Sequence, residues 1–150
     1  MKLSRKAEYA MRALLAMARA PETSTFAIQD IATRERIPLK FLEQILLVLK
    51  NGGLLRSKRG VGGGYQFHKA PLRISLGEII QLIDGPFEPL RCTTLIDEPG
   101  SECECGIPGG CGLGQVFTGL RNDVNEWLGS TTLRDVLERE KSLQPLSFEI

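Results

Sequence analysis

Apolar residues in the first fifty positions recur at helical spacing in three separate segments. Over residues 3–19 they are three or four positions apart, which predicts an amphipathic helix. A second helix is predicted over residues 26–35. A third is predicted over residues 38–52, with a buried stripe of Leu42, Ile45, Leu46 and Leu49. Two short helices joined by a tight turn predict a helix-turn-helix, although an ordinary helical hairpin gives the same pattern.

After residue 53 the helical pattern gives way to that of a hairpin over residues 54–67. Four of the five positions from Gly60 to Gly64 are glycine, which permits positive φ and a close backbone approach to a partner. The outgoing arm carries three cations: Arg56, Lys58 and Arg59. A basic hairpin directly after a helix-turn-helix is typical of a wing. A phosphate-binding loop is the weaker alternative, because the glycines are not followed by Gly-Lys-Ser/Thr or by a helix.

Helical patterning returns in the second half. Ser75 and Glu78 have the spacing of a capping box and predict a helix that ends at Asp84. A strongly amphipathic helix is predicted over residues 113–128, with its apolar face on the core or on a second copy of the chain. Thr132 is suited to cap a last short helix. The predicted fold is mainly α-helical with a small β-hairpin wing, that is, a winged helix-turn-helix with a long C-terminal helix.

Composition narrows the functional class. The 150 residues fit one globular domain, and 42% hydrophobic and 25% charged residues are ordinary for a soluble protein. We expect no membrane span, because no apolar run approaches the roughly 20 residues required. The charged N-terminus does not resemble a signal peptide. We therefore expect a cytoplasmic protein whose thiols stay reduced.

The net charge of +1 hides a strong asymmetry between the two halves. Residues 1–70 contain 13 Lys/Arg and 5 Asp/Glu, whereas residues 71–150 contain 6 and 13. A basic half is suited to a polyanion, and such a division is a hint of nucleic-acid binding. Two solvated surfaces of opposite sign would give the same counts.

All four cysteines lie within one segment: Cys92, Cys103, Cys105 and Cys111. The segment is rich in proline and glycine, so neither helix nor strand is predicted across it. Long loops of this kind are usually functional or disordered. Clustered thiols indicate a metal, an iron–sulfur cluster or a redox switch.

Three stretches resemble one family closely. They are Met-Lys-Leu-Ser-Arg-Lys-Ala-Glu-Tyr-Ala at the start, Pro-Leu-Lys-Phe-Leu-Glu-Gln-Ile-Leu, and Leu-Arg-Ser-Lys-Arg-Gly-Val-Gly-Gly-Gly-Tyr. They resemble the Rrf-two family of bacterial transcriptional regulators, over residues 1–140. The resemblance implies a winged-helix homodimer that binds palindromic double-stranded DNA and is not an enzyme. It further implies a DNA-binding domain over 1–84, a sensor loop over 85–111, a dimerisation helix and C-terminal helix over 112–143, and a tail over 144–150.

The resemblance also implies roles for single residues on the DNA-binding side. Glu43 matches the family's base-reading glutamate, and Arg59 matches the wing arginine that reaches the minor groove. By placement, four further residues are expected to contact phosphates or bases: Lys40, Gln44, Arg56 and Lys58. Phosphate contacts make DNA affinity fall steeply with salt.

Cluster-bearing members of the family have three cysteines in this loop, the last two separated as Cys105 and Cys111 are here. The resemblance therefore implies a 2Fe–2S or 4Fe–4S cluster held by Cys92, Cys105 and Cys111. Some members place a histidine as fourth ligand where this chain has Gly114. Two residues are candidates for the fourth ligand. Glu8 lies at the position where other members have a carboxylate ligand that is donated across the dimer, and Cys103 is the other candidate.

Two cluster-free interpretations of the thiols remain open, namely a zinc site and a reversible thiol switch. A cysteine-dependent enzyme is disfavoured, because the sole histidine, His68, lies beside the wing and no Cys-x-x-Cys pair is present. We expect His68 to have a surface or DNA-proximal role rather than to bind a metal.

Overall fold

The structure, a computed structural model, describes residues 2–95, 105–106 and 111–143. Within these residues seven α-helices and one two-stranded antiparallel sheet follow one another along the chain. In order they are α1 Arg5–Ala18, α2 Ile28–Glu35, α3 Leu39–Asn51, β1 Leu55–Lys58, β2 Gly64–Phe67, a 3-10 helix Pro71–Arg73, α4 Leu76–Asp84, α5 Arg91–Leu95, α6 Gly112–Ser130 and α7 Leu133–Leu143.

Helix α1 lies at the centre and contacts α2, α3, α4 and α7. Its core face contains small residues, and Ala7, Ala10 and Ala13 are fully buried, so neighbouring helices can approach closely. The Ser4 side chain caps its first turn by accepting from the Ala7 N–H at 3.0 Å. The prediction that Leu3 belongs to this apolar face was wrong: Leu3 precedes the cap and is 45% exposed.

One hydrophobic core joins the winged half to the last helix. The predicted stripe of α3 is confirmed, since all four of its residues are fully buried. They pack with Leu14 of α1, Leu55 of β1, Ile79 of α4 and Leu133 of α7. Since α7 contributes to this core, the C-terminal end of the chain supports the DNA-binding half directly.

The starts of α4 and α7 are joined at their N-caps. The predicted capping box is present: Glu78 N–H donates to Ser75 Oγ at 3.1 Å, and Ser75 N–H donates to the Glu78 carboxylate at 3.0 Å. Thr132 and Asp135 make the corresponding pair of bonds at 3.4 and 2.7 Å. A β-bridge pairs Ser75 with Thr132, and two helix starts distant in sequence therefore stabilise each other.

The wing is the predicted antiparallel hairpin. Leu55 pairs with Phe67 at its base and Lys58 with Gly64 near its tip. Tyr65 also forms an isolated bridge with Phe26, with both main-chain bonds at 2.9 Å. This bridge requires glycine at position 64, because a Cβ there would lie 2.2 Å from the Phe26 carbonyl oxygen. The segment before α2 therefore fixes the inner strand of the wing.

Helix α5 corrects the prediction that the cysteine segment contains no regular structure. Arg91–Leu95 is helical, and Cys92 lies within it. Thr93 is fully buried, and its hydroxyl donates to the Leu90 carbonyl oxygen at 2.6 Å. Such a short helix has little stability of its own, so contacts with α6 must hold it, and these are invisible to local sequence patterns.

Helix α6 is the longest helix among the described residues, at 19 residues. It contacts α4 and α5, yet Gly114 is its only buried residue. Four large apolar residues are exposed along it: Leu113, Val116, Leu120 and Trp127. Packing within the same chain therefore covers only part of its apolar face. No helix among the described residues is long and apolar enough to cross a membrane.

Candidate nucleic-acid interface and cysteine segment

The outer face of α3 presents three polar side chains to solvent. Lys40, Glu43 and Gln44 are all exposed, on the side of the helix opposite the buried stripe. Their spacing of three and four positions places them on one face. This face is therefore accessible to a partner without any change in the core, and the DNA contacts expected of its three residues stay a prediction.

The turn between α2 and α3 is fixed from both sides. Arg36 has a left-handed backbone with φ of 53°, and buried Ile37 anchors the turn by donating its N–H to the Ala32 carbonyl oxygen at 2.9 Å. Arg12 of α1 donates to the Glu35 main-chain oxygen and lies 3.8 Å from the Glu35 carboxylate. These contacts hold the two helices in a fixed relative orientation.

The cations of the wing are also exposed. Arg56 and Lys58 are two positions apart on β1 and therefore project from the same face of the hairpin. Arg59 follows at the start of the glycine turn and is exposed as well. Gln66 on β2 donates to the Thr25 hydroxyl at 2.6 Å, which connects the wing to the segment before α2. The wing thus carries its cations on β1 and the turn, while its second strand, β2, is held by the segment before α2.

The cysteines lie at the two borders of the segment that precedes α6. Cys92 is partly buried in α5, Cys111 is the partly buried N-cap residue of α6, and Cys105 is exposed. Cys103 lies outside the described residues. Among the residues that the structure describes, no three His, Cys, Asp or Glu side chains are gathered closely enough to hold a metal ion. Cys92, Cys105 and Cys111 therefore do not belong to such a group among the described residues.

One side chain of α6 holds the turn that carries Cys92. The Arg121 guanidinium donates to the Thr93 main-chain carbonyl oxygen at 2.5 Å, across 28 positions of sequence. Sequence reasoning missed this contact, since an isolated arginine on an amphipathic helix looks like any solvated charge. This hydrogen bond joins α6 to the residue that follows Cys92.

The remaining candidates lie on the surface. Glu8 is exposed on the first turn of α1, where its carboxylate lies 3.9 Å from Arg12. His68 is exposed after β2, and its main-chain N–H donates to the Leu54 carbonyl oxygen at 2.9 Å. Neither residue belongs to a group of potential metal ligands within the described part of the chain.

Comparison with known proteins is consistent with these features. The model of the Rrf2 family, described as "Iron-dependent Transcriptional regulator", matches residues 3–139. An rrf2-like HTH-type transcriptional regulator of Rhodobacter capsulatus is 37% identical over 139 residues, covering 90% of this chain and 91% of that protein.

Solved structures agree in fold. CymR (YrzC), the global cysteine regulator of B. subtilis, superposes with a TM-score of 0.73 at 28% identity, covering 93% of this chain and 98% of CymR. IscR of T. potens gives 0.73 at 26% identity, covering 96% and 91%. These relatives are winged-helix regulators and not enzymes. The chain belongs to the Rrf2 family of transcriptional regulators, which confirms the resemblance of its three sequence stretches to that family.

Proposed function

We propose that the protein is a homodimeric transcriptional regulator of the bacterial cytoplasm that binds a palindromic duplex and responds to the state of its cysteines. The exposed polar face of α3 beside a basic, body-anchored wing is the observation that carries this proposal. Its units are residues 1–84 for DNA binding, 85–111 for sensing and 112–143 for dimerisation, followed by the tail 144–150.

The DNA contacts divide into two chemical kinds. Glu43 accepts a hydrogen bond from a cytosine N4 amino group in the major groove, and Gln44 contacts a neighbouring base. Lys40, Arg56 and Lys58 neutralise phosphates, and Arg59 enters the minor groove from the tip of the wing. The exposure of all six side chains in the free protein supports these roles.

Dimerisation uses the apolar face of α6. Its exposed positions 113, 116, 120 and 127 are spaced by three, four and seven, which is the spacing of a coiled-coil seam. A two-fold pairing along this seam places two α3 helices on successive turns of a palindrome.

The cysteine segment is the sensor, and an iron–sulfur cluster of the 2Fe–2S or 4Fe–4S type is the proposed cofactor. Cys92, Cys105 and Cys111 supply thiolates of the type such clusters require, and Glu8 of the partner subunit or Cys103 completes the set. The family description as iron-dependent supports iron.

The exposure of Cys105 supports a second candidate. In a cluster-free regulator, two thiols of the segment are oxidised to a disulfide by a peroxide or disulfide oxidant, and exposed Cys105 is attacked first. A zinc site is the third possibility for the same residues.

Anaerobic purification followed by a visible spectrum and by iron, sulfide and zinc analysis separates these candidates. The cluster predicts colour with stoichiometric iron and sulfide, and both are lost in Cys92→Ala. A colourless, metal-free protein whose DNA affinity depends on thiol oxidation contradicts the cluster and supports the switch. Failure to enrich any sequence from a randomised duplex pool in either state contradicts the regulator itself.

A further inference from the structure

Leu47 is the apolar member of an otherwise polar row on the outer face of α3, and Leu39 and Phe41, which are also exposed, lie on either side of that row. Leu47 follows Lys40, Glu43 and Gln44 at positions i, i+3, i+4 and i+7 of one helical face. It is 49% exposed, whereas the neighbouring Leu46 is fully buried. An exposed leucine is unremarkable in itself, but this one lies in the row of side chains proposed to face DNA.

The charges around Leu47 indicate which kind of partner contacts it. The other three members of the row are polar, and the wing that follows α3 adds three exposed cations. The cations of this surface complement a polyanion. Within the major groove the apolar group available at a base edge is the C5-methyl of thymine.

We propose that Leu47 is a specificity-determining residue that contacts a thymine methyl group. The inference deepens the proposed function and rests on α3 occupying the major groove. Four residues separate Leu47 from Glu43, or about 6 Å along the helix axis. At about 3.4 Å per base pair, the thymine lies within about two base pairs of the pair that Glu43 contacts.

Replacing thymine by deoxyuracil tests this contact, because the two bases differ only by the methyl group. A duplex is first selected from a randomised pool with the reduced protein, and the base pair contacted by Glu43 is located by the loss of selectivity in Glu43→Ala. Each thymine of the selected palindrome is then replaced by deoxyuracil in both half-sites, and Kd is measured by fluorescence anisotropy. One methyl group corresponds to roughly fourfold in Kd, and two to about fifteenfold.

The deoxyuracil scan is carried out on the wild type and on three variants. The wild type is expected to lose about fifteenfold at one thymine near the Glu43 pair. Leu47→Ala binds the thymine duplex more weakly and no longer distinguishes it from deoxyuracil there, whereas Leu47→Met retains the discrimination. Leu143→Ala, the same truncation at an 81% exposed position of α7, leaves the scan unchanged. Because Leu47 lies outside the core, these changes leave folding intact.

Two results overturn the proposal at different levels. If a duplex is selected but Leu47→Ala keeps the wild-type deoxyuracil profile, the thymine contact is wrong and DNA binding stands. If the pool yields no specific duplex, the regulator proposal fails and the thymine contact fails with it.

Discussion

The Arg121 guanidinium donates a 2.5 Å hydrogen bond to the main-chain carbonyl oxygen of Thr93, the residue that follows Cys92. This bond joins the middle of α6 to the short helix that carries the first cysteine. Any rearrangement that draws Cys92 towards Cys105 and Cys111 must therefore shift or break a contact with α6. Because α6 is also the proposed dimer helix, we propose that this bond couples the thiols to the spacing of the two DNA-binding halves.

Replacing Arg121 should loosen α5. In Arg121→Ala the Thr93 carbonyl loses a charge-assisted bond worth about 1.5–3 kcal/mol, and partly buried Cys92 becomes more accessible. We expect iodoacetamide to alkylate Cys92 faster in this variant, as measured by mass spectrometry of the Cys92 peptide. Arg134→Ala, which removes an exposed arginine from α7, should leave the rate unchanged. Equal rates in all three proteins would show that the bond does not restrain Cys92.

A side chain at position 64 should destabilise the wing. Gly64→Ala forces a Cβ to within 2.2 Å of the Phe26 carbonyl oxygen at a φ of 154°, which breaks the bridge to Tyr65. We expect a loss of about 1–3 kcal/mol in the free energy of unfolding and weaker DNA binding. Gly119→Ala is the control, because its added Cβ meets no atom within 4 Å on α6. Wild-type stability in Gly64→Ala would contradict the close approach of β2 to Phe26.

The seam on α6 should control the oligomeric state. Val116 is 70% exposed, and Val116→Glu places a charge in the centre of the proposed dimer interface. We expect sedimentation equilibrium to show a shift from dimer towards monomer. Gln115→Glu adds the same charge to the same helix away from the seam and should remain dimeric. A dimer that persists in Val116→Glu, Leu120→Glu and the double variant would place the interface elsewhere.

Stability should fall in acid partly through Glu78. Partial burial raises the pKa of this carboxyl, but the hydrogen bond from Lys69 and the bonds from Ser75 outweigh it and hold the pKa below its usual value of 4.5. A carboxyl whose pKa is lower in the folded than in the unfolded protein stabilises the fold at pH values above the unfolded pKa. For Glu78 this stabilisation is lost as the pH falls below 4.5 and through the pKa of the folded protein.

Glu78→Gln should therefore flatten the acid limb of the unfolding free energy measured by urea titration at several pH values. The effect is small, because the Glu78 side chain is 38% exposed and solvent screens its ion pair with Lys69. Glu22→Gln, an exposed glutamate in the turn after α1, should keep the wild-type slope. An unchanged slope in Glu78→Gln would mean that the capping box does not titrate with folding.

Local periodicity accounts for what the sequence predicted well. The stripe of α3, the hairpin and the capping box at Ser75 depend on residues within a few positions of each other, and all three are present. The contacts that were missed are distant in sequence. Helix α5 is held through Arg121, and the bridge of Ser75 with Thr132 spans more than fifty positions, so neither leaves a local signal. The set of cysteine ligands also depends on residues that are distant in sequence, and it stays a prediction.

The central claim is that the state of the cysteine segment changes DNA affinity. The most direct measurement is Kd for the selected duplex, by fluorescence anisotropy, with the protein as isolated anaerobically, after chelation and reduction, and after oxidation. We predict a spread of roughly tenfold or more between these states, within the range of typical allosteric coupling. The spread should vanish when Cys92, Cys105 and Cys111 are all replaced by alanine. The same Kd in every state of the wild-type protein would contradict the claim.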